Sequence, residues 1–163
     1  MTPTRRLPGD PDPVAGEIVA ALFRLVDELK AHFDAVAAAF GLTTTQALAL
    51  RDLDRPVPMA RLAGTLRCNP SNVTAMATRL EARGLVERRP LPTDRRVRQL
   101  VLTDAGHRLR QQFLTALFTG VPAVTGLTGS QRRRLRDLLL QVTTSVDAAQ
   151  QPDGPPQDGG AGR

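Results

Sequence analysis

The stretch NPSNVTAMATRLEARGLVERRPLPTDRRVRQLVLTDAG, Asn69 to Gly106, changes its periodicity halfway along and decides the fold. In its first half apolar residues recur at helical spacing, Asn69 is a favourable N-cap, Pro70 suits the first helical position and Gly84 suits the end. Its second half contains two short runs with strand character, LVERR and RQLVLT, which the basic segment PLPTDRRV separates. The stretch therefore predicts a helix over 70–83, followed by a two-stranded hairpin with a long basic tip.

Helical patterns precede this stretch. Residues 14–40 carry a continuous apolar stripe with a spacing of three or four, and Gly41 is well placed to end that helix. Thr43 and Gln46 have the spacing of a capping box at the start of TTTQALALRDL, and MARLAGTL follows as a short helix. The segment before Asn69 therefore predicts three helices.

Helical patterns also follow the hairpin. Thr103 and Asp104 are suited to open a helix with apolar residues at a spacing of four. Thr128 and Gln131 have a second capping-box spacing, and the segment after them is striped with leucine and valine. The chain is therefore expected to end in two helices.

This order of elements predicts a fold that is mainly α with a small β-wing. We expect a dimerisation helix at 14–40, a winged helix-turn-helix DNA-binding domain at 41–103 and C-terminal dimerisation helices at 104–149. Residues 1–13 and 150–163 are rich in Pro, Gly and Asp and are predicted to be disordered tails. Because a long striped helix needs a partner to cover it, we expect the terminal helices of two subunits to interdigitate in a homodimer.

The basic charge is concentrated in the middle of the chain. The net charge is +6, and from Arg79 to Arg98 there are seven arginines against three acidic residues. A basic segment inside an otherwise mild protein points to a polyanionic partner. The alternative is a solvated charged face, which is the commoner meaning of a charge run.

Composition excludes several other classes of protein. Hydrophobic residues make up 41% and charged residues 23%, as in ordinary globular proteins, and no apolar run is long enough to span a bilayer. We therefore expect a cytoplasmic protein with no membrane partner. One cysteine and two histidines cannot form an internal disulfide or a zinc site of the usual spacing, so no metal and no cofactor are expected. No nucleophile has a convincing histidine partner and no phosphate-binding glycine loop occurs, so we expect no enzyme activity.

The predicted helix over 70–83 has two unlike faces. An apolar stripe of Val73, Met76, Ala77 and Leu80 is expected to point inward. In a helix-turn-helix the second helix lies in the major groove, where Asn, Ser, Thr and Arg can bond base edges or phosphates. The candidate DNA-binding residues of this helix are Asn69, Ser71, Asn72, Thr74, Ala75, Thr78 and Arg79.

The hairpin tip supplies a second set of candidates. Asp94 lies among Arg95, Arg96 and Arg98, and an aspartate there is useful if it holds an arginine in place. We predict that Asp94 orients Arg96 by a bidentate salt bridge, while Arg95 or Arg98 reaches a minor groove or a phosphate. The alternative is a solvated hairpin with an exposed ion pair.

These motifs resemble the MarR family of winged helix-turn-helix transcriptional regulators. The likeness runs from about Val14 to Ala148 and is carried by MARLAGTLRCNPSNVTAMATRLEARG, by LEARGLVERRP and by the wing motif DRRVRQLVLTDAG. It implies an obligate dimer on palindromic operator DNA, usually repression, and in many members a small phenolic or anionic effector that weakens DNA binding. By the same resemblance, 69–78 supplies the recognition helix and 94–96 the wing.

The sequence departs from that family at two positions and leaves the roles of three residues open. Ala75 stands where many relatives carry a basic residue and Thr78 where aspartate is common, so we expect a different base preference. His32 and Phe33 lie in the region that borders the family's effector crevice and are candidate effector-binding residues, although an exposed His32 is the favoured interpretation. Cys68 is a redox candidate, but a buried core thiol is favoured.

The function predicted from the sequence is that of a sequence-specific, double-stranded DNA-binding transcriptional regulator. It is expected to be a ligand-responsive repressor that acts as a homodimer on a pseudo-palindromic operator. The rival hypothesis is an RNA-binding or nucleoid-type protein whose arginines bind without sequence preference.

Overall fold

The computed structural model describes residues 12–150. Their elements in chain order are α1 Pro13–Ala39, α2 Thr44–Asp52, β1 Val57–Pro58, α3 Met59–Thr65, α4 Pro70–Ala82, β2 Val86–Leu91, β3 Asp94–Leu102, α5 Asp104–Phe118, α6 Pro122–Thr125 and α7 Gly129–Gln150. The predicted fold, mainly α with a small β-wing, is confirmed. The predicted tails lie outside the described residues, except that Asp12 caps α1, Pro13 begins it and Gln150 ends α7.

Contacts within the chain define two compact units, whose boundary in the sequence lies between Ala123 and Val124. The first unit contains α1 to α5 and the three-stranded sheet, and the second contains α7. The core of the first unit is apolar, and its largest fully buried side chains are Phe113, Leu50, Leu53, Leu62, Leu80, Leu100, Val73 and Val86. The predicted inward face of α4 is buried in this core, as expected.

Only the C-terminal part of α1 packs on this core. Phe33 and Phe40 meet the ring of Phe113 edge to face, with centroid distances of 5.7 and 5.9 Å. The N-terminal part instead exposes apolar side chains at helical spacing, namely Ile18, Leu22, Val26 and Leu29. No single described helix is long and apolar enough to cross a membrane; α1 and α2 would pass that test only as a pair, and the chain bends by 91° between them.

The sheet differs from the predicted hairpin in two ways. It has three antiparallel strands in the order β1-β3-β2, and the two-residue edge strand β1, which pairs Val57 with Leu100, was not predicted. The predicted long tip is also wrong, because β2 and β3 continue to Leu91 and Asp94 and leave only residues 92–93 in the turn. Backbone pairing reaches Leu91 and Asp94 within the basic segment, although residues 95–97 between the last two pairs have no partners.

The helices α1, α3 and α4 end in the same way. In each, the N–H of the second residue past the cap bonds back five residues, from Leu42 to Ala37, from Cys68 to Ala63 and from Leu85 to Leu80. This ending needs a left-handed residue just past the cap, a role that Gly41, Arg67 and Gly84 take with φ of 63°, 48° and 66°. Gly41 and Gly84 were predicted as helix ends, whereas Arg67 adopts a conformation that is unusual for a residue with a side chain.

Candidate nucleic-acid interface

The outward face of α4 is exposed along its whole length. All of the residues that the sequence predicts there are exposed, namely Asn69, Ser71, Asn72, Thr74, Ala75, Thr78 and Arg79. The opposite face is at most 4% exposed, because its four apolar residues fill the core. Asn69 is the N-cap by its backbone, but its side chain makes no capping hydrogen bond, so the expected cap is only half correct. Its amide therefore stays available at the start of the helix.

The threonines of α4 are partly occupied within the helix. The hydroxyl of Thr74 donates to the carbonyl of Pro70 at 3.0 Å, and the hydroxyl of Thr78 donates to the carbonyl of Thr74 at 2.9 Å. Each hydroxyl has one proton, so neither threonine can donate a second hydrogen bond while these bonds persist. By contrast, the side chains of Asn72 and Arg79 are exposed and have no hydrogen-bond partner among the described residues.

The aspartate of the wing does not bind the guanidinium group that we expected it to bind. Asp94 Oδ1 accepts a hydrogen bond from the backbone N–H of Arg96 at 2.9 Å. Within the described residues there is no ion pair between Asp94 and Arg96, so the predicted bidentate salt bridge is absent. The physical reason is local, since an aspartate at a turn bonds most readily to the backbone two residues ahead. Asp94 therefore fixes the backbone that carries Arg96.

The arginines of the wing are displayed on an irregular part of β3. Strand pairing passes from Pro90 opposite Arg98 directly to Leu91 opposite Asp94, so residues 95–97 have no partners across the ladder. A bulge of this kind bends the strand and turns side chains away from the sheet. Arg95, Arg96 and Arg98 are exposed, and their guanidinium groups have no partner in the described part of the chain. The three arginines outweigh the single carboxylate of Asp94, so this tip carries net positive charge.

Sequence reasoning missed two arginines that join α4 to other elements. Arg88 on β2 reaches α4, where it donates to the hydroxyl of Thr78 at 2.7 Å. Arg83 at the end of α4 donates to the carbonyl of Gly41 at 2.8 Å and so caps the end of α1. Strand alternation could have revealed Arg88, because it lies on the same side of β2 as the buried Val86 and needs a partner there.

Cys68 is half-buried rather than fully buried, and it packs against the core. It stands at the second residue past the cap of α3, where Leu42 and Leu85 stand after α1 and α4. That position favours an apolar contact with the preceding turn, which explains a cysteine there without a redox role. Its outer side lines a polar groove of about 330 Å³ between α2 and α4, together with Gln46, Asn72 and Arg79.

The two candidate effector residues have structural partners. His32 is half-buried, and its Nε2 lies 3.0 Å from the carbonyl oxygen of Leu117 near the end of α5. A carbonyl can only accept, so Nε2 carries the proton and His32 is not the free surface residue that we favoured. Phe33 packs on Phe113 in the core. Among the described residues, no three His, Cys, Asp or Glu side chains lie together as metal ligands would.

Comparison with known proteins agrees with this geometry. Residues 42–97 match the model of the MarR family. Similar solved structures include the YusO protein from Bacillus subtilis, which is 24% identical with a TM-score of 0.64 over 81% of this chain and 96% of that chain. Wild-type MarR from E. coli in its apo form is 22% identical with a TM-score of 0.64 over 85% and 98% of the two chains. No curated protein matches this chain by sequence.

A further similar structure contains a ligand. CouR from Rhodococcus jostii RHA1, bound to p-coumaroyl-CoA, is 23% identical with a TM-score of 0.63 over 81% of this chain and 95% of that chain. At such identities the likeness establishes the fold. Residues 42–97 match the MarR-family model and lie in a winged helix-turn-helix fold, in agreement with the resemblance inferred from the sequence motifs. This fold supports a DNA-binding regulator.

Proposed function

We propose that this protein is a sequence-specific transcriptional regulator that binds a pseudo-palindromic DNA operator as a homodimer and is released by a small effector. The observation that carries the proposal is the pairing of two features in one unit. The exposed face of α4 presents the side chains of Asn72 and Arg79, which make no hydrogen bond or ion pair within the described residues. The nearby wing presents Arg95, Arg96 and Arg98, whose guanidinium groups are also exposed and unpaired there.

The face of α4 suits the major groove. Asn72 can bond adenine through two atoms, and Arg79 can bond guanine or grip a phosphate. Ser71 and Ala75 are short, so the helix can approach base edges closely. The N-terminus of a helix also attracts a phosphate through its free N–H groups. These residues together supply both base contacts, which specify sequence, and backbone contacts, which set position.

The wing suits the DNA backbone or a minor groove. Minor grooves that are narrow have an enhanced negative potential that attracts arginine. Asp94 holds the start of β3 through the N–H of Arg96, so the segment that carries the arginines is already fixed in the free protein. Because this segment is already ordered in the free protein, DNA binding costs less conformational entropy.

Exposed apolar surface supports the homodimer. In the first unit, the N-terminal part of α1 exposes Ile18, Leu22 and Val26, each by 39% or more. In the second unit, α7 exposes Leu139 and Val142 to a similar extent. The exposed apolar residues on each of these helices form a patch of the kind that marks interaction sites in soluble proteins. A second copy of the chain would cover it, and two copies would present two recognition helices about 34 Å apart on successive turns of DNA.

The effector is proposed by analogy with CouR, whose ligand has a phenolic group and negative charge. A small phenolic or anionic compound that binds better to one arrangement of the two recognition helices would shift the operator affinity. Repression follows if the operator overlaps a promoter. The proposal assigns no catalytic role to any residue, and a cytoplasmic location stays a prediction.

The first test is selection of bound sequences from random duplex DNA, followed by salt titrations on the selected duplex and on a scrambled one. We expect an inverted repeat that is bound about a thousandfold or more tightly than the scramble at the same salt concentration. Equal binding to both, with a steep dependence on salt, would refute sequence-specific regulation and favour the non-specific architectural function.

Arg96→Ala tests the wing. The guanidinium group of Arg96 is exposed and has no partner in the described residues, while Asp94 holds the Arg96 backbone. We therefore expect the substitution to weaken operator binding by about 10- to 100-fold without changing the oligomeric state. Fluorescence anisotropy with a labelled operator measures the loss.

Arg108→Ala is the matched control, since it removes the same charge from an exposed position on α5. Helix α5 follows the end of β3 that is farther from the wing tip. We expect it to weaken binding far less than Arg96→Ala. Equal effects of the two substitutions would mean that Arg96 contributes only through net charge.

A further inference from the structure

We infer that Arg88 is a positioning residue that holds the recognition helix at a fixed angle to the wing, and that Thr78 is its acceptor and reads no base. Arg88 and its three partners Thr74, Thr78 and Glu81 are called the Arg88 clasp. The inference rests on the proposed function and assigns a different role to one of the residues predicted to contact bases.

The guanidinium group of Arg88 is bound entirely to α4. One terminal nitrogen donates to the hydroxyl of Thr78 at 2.7 Å and to the carbonyl of Thr74 at 3.1 Å. The other lies 3.2 Å from a carboxylate oxygen of Glu81, and the side chain of Arg88 is only 28% exposed. A planar group with several donors is suited to hold three acceptors at once, which a lysine cannot do.

The sequence spacing explains why these groups meet. Arg88 lies two residues after the buried Val86, so both point to the same side of β2. Thr74, Thr78 and Glu81 are spaced by four and three residues, so they lie along one face of α4. The clasp therefore connects a strand of the wing to the helix that is proposed to enter the major groove.

The hydroxyl of Thr78 has little capacity left for DNA. Its proton goes to the carbonyl of Thr74 at 2.9 Å, and one of its lone pairs accepts from Arg88 at 2.7 Å. A hydroxyl has one donor and two acceptor positions, so one acceptor position remains and no donor. Base reading is then left to Ser71, Asn72 and Arg79, whose side chains make no hydrogen bond or ion pair in the described part of the chain.

The clasp matters for recognition because helix and wing contact DNA at different places. A base-reading side chain must be held within roughly 0.5 Å and 10–20° to make its bonds. If the helix swings relative to the wing, phosphate contacts survive through flexible arginines while base contacts fail. Loss of the clasp should therefore lower the preference for the operator over other duplexes more than it lowers affinity for DNA in general.

The test combines Arg88→Met, Thr78→Val, the double variant and Arg88→Lys, with Arg89→Met as the matched control. Arg89 is adjacent and exposed, and it pairs with Glu87 on its own strand. The readout is the ratio of affinities for the selected operator and a scrambled duplex.

We expect Arg88→Met, Arg88→Lys and Thr78→Val each to lower this ratio at least tenfold, and the double variant to be no worse than Arg88→Met. Arg89→Met should weaken both duplexes equally and leave the ratio unchanged.

Repeating the sequence selection with Thr78→Val separates positioning from base reading. If Thr78 reads no base, the preferred operator sequence is unchanged and only the discrimination weakens. A new preferred base at one position, additive losses in the double variant, or a wild-type ratio in Arg88→Met or Arg88→Lys would overturn the inference. A variant with a lower melting temperature but an unchanged ratio of affinities would show that the clasp only stabilises the fold. That result would also overturn the inference.

A measurement without DNA keeps this inference separate from the proposed function. Spin labels at Ala82 and Thr93, introduced as cysteines in a Cys68→Ala background, report the distance between α4 and the wing turn. We expect a narrow distribution in the otherwise unchanged protein and in Arg89→Met, and a broad one in Arg88→Met. If no duplex is selected at all, the proposed function fails, while the breadth of this distribution still decides whether Arg88 positions the helix.

Discussion

Replacing Gly106 with alanine is expected to lower the free energy of unfolding by about 3 kcal/mol or more. Gly106 is buried in the first turn of α5, and a Cβ atom there would overlap the carbonyl oxygen of Leu85. The same Cβ would lie 3.0 Å from the carbonyl carbon of Leu85 and 3.1 Å from Leu102 Cδ2. Because the overlap involves backbone, no rotation of a side chain can relieve it, and the start of α5 must move.

That movement would break the bonds that fix the start of α5 to the turn after α4. The backbone N–H of Thr103 donates to the carbonyl of Leu85 at 3.1 Å, and its hydroxyl donates to the carbonyl of Gly84 at 2.6 Å. The N–H of Gly106 in turn donates to the hydroxyl of Thr103 at 3.1 Å. Residues 84–85 join α4 to β2, so a shifted α5 would displace both proposed DNA-contacting elements, and operator binding should be lost as well.

Chemical denaturation of Gly106→Ala beside Gly64→Ala checks this expectation. Gly64 lies in α3, and a Cβ atom there would have no atom within 4 Å. Alanine is the better helix former by up to about 1 kcal/mol, so Gly64→Ala should be as stable as the original chain or slightly more stable. A Gly106→Ala protein with unchanged stability would mean that α5 does not approach residue 85 as closely as the structure has it.

The capping interactions could be predicted from sequence because they are local. The Thr43 and Gln46 pair, the Thr128 and Gln131 pair and the N-cap at Thr103 are each complete within four residues. Residue type and spacing therefore decide them almost alone. The inward face of α4 was predictable for a similar reason, since helical periodicity fixes which side chains share a face.

Features that depend on distant partners could not be predicted in this way. The strand β1 has two residues, and only its pairing with residues 99–100, more than forty positions away, makes it a strand. The bond between His32 and the carbonyl of Leu117 joins residues that are 85 positions apart. No local pattern distinguishes such residues from exposed ones.

The wing shows an intermediate case, in which the sequence indicated the right pair but the wrong atoms. Asp94 does hold Arg96, yet it binds the backbone N–H and leaves the guanidinium free. Both arrangements satisfy the same two residue types, and only the turn geometry separates them. For function the difference is useful, because a guanidinium without an internal partner is available to DNA.

Replacing Leu139 with glutamate is expected to convert the proposed dimer into a monomer and to weaken operator binding by at least about 100-fold. Leu138, Leu139, Leu140 and Val142 of α7 are 39–59% exposed. In a symmetric dimer the substitution occurs twice, and each copy replaces apolar surface with a carboxylate that would need desolvation. Two recognition helices on one particle bind DNA about 10²- to 10⁴-fold more tightly than one, which sets the size of the loss.

Gln141→Glu is the matched control, because it adds the same charge to an exposed polar position on the same helix. Sedimentation velocity should give twice 17.6 kDa for the unsubstituted chain and for Gln141→Glu, and 17.6 kDa for Leu139→Glu. Leu139 also lines a groove with Val124 and Leu135, so the substitution could disturb the fold of its own chain. Circular dichroism is the control, and an unchanged helix content would assign the effect of Leu139→Glu to the interface. A folded Leu139→Glu protein that stays dimeric would place the interface elsewhere. One that is monomeric but binds the operator as tightly as the original would remove the dimer from the mechanism, because a single recognition helix and wing would then account for all of the affinity.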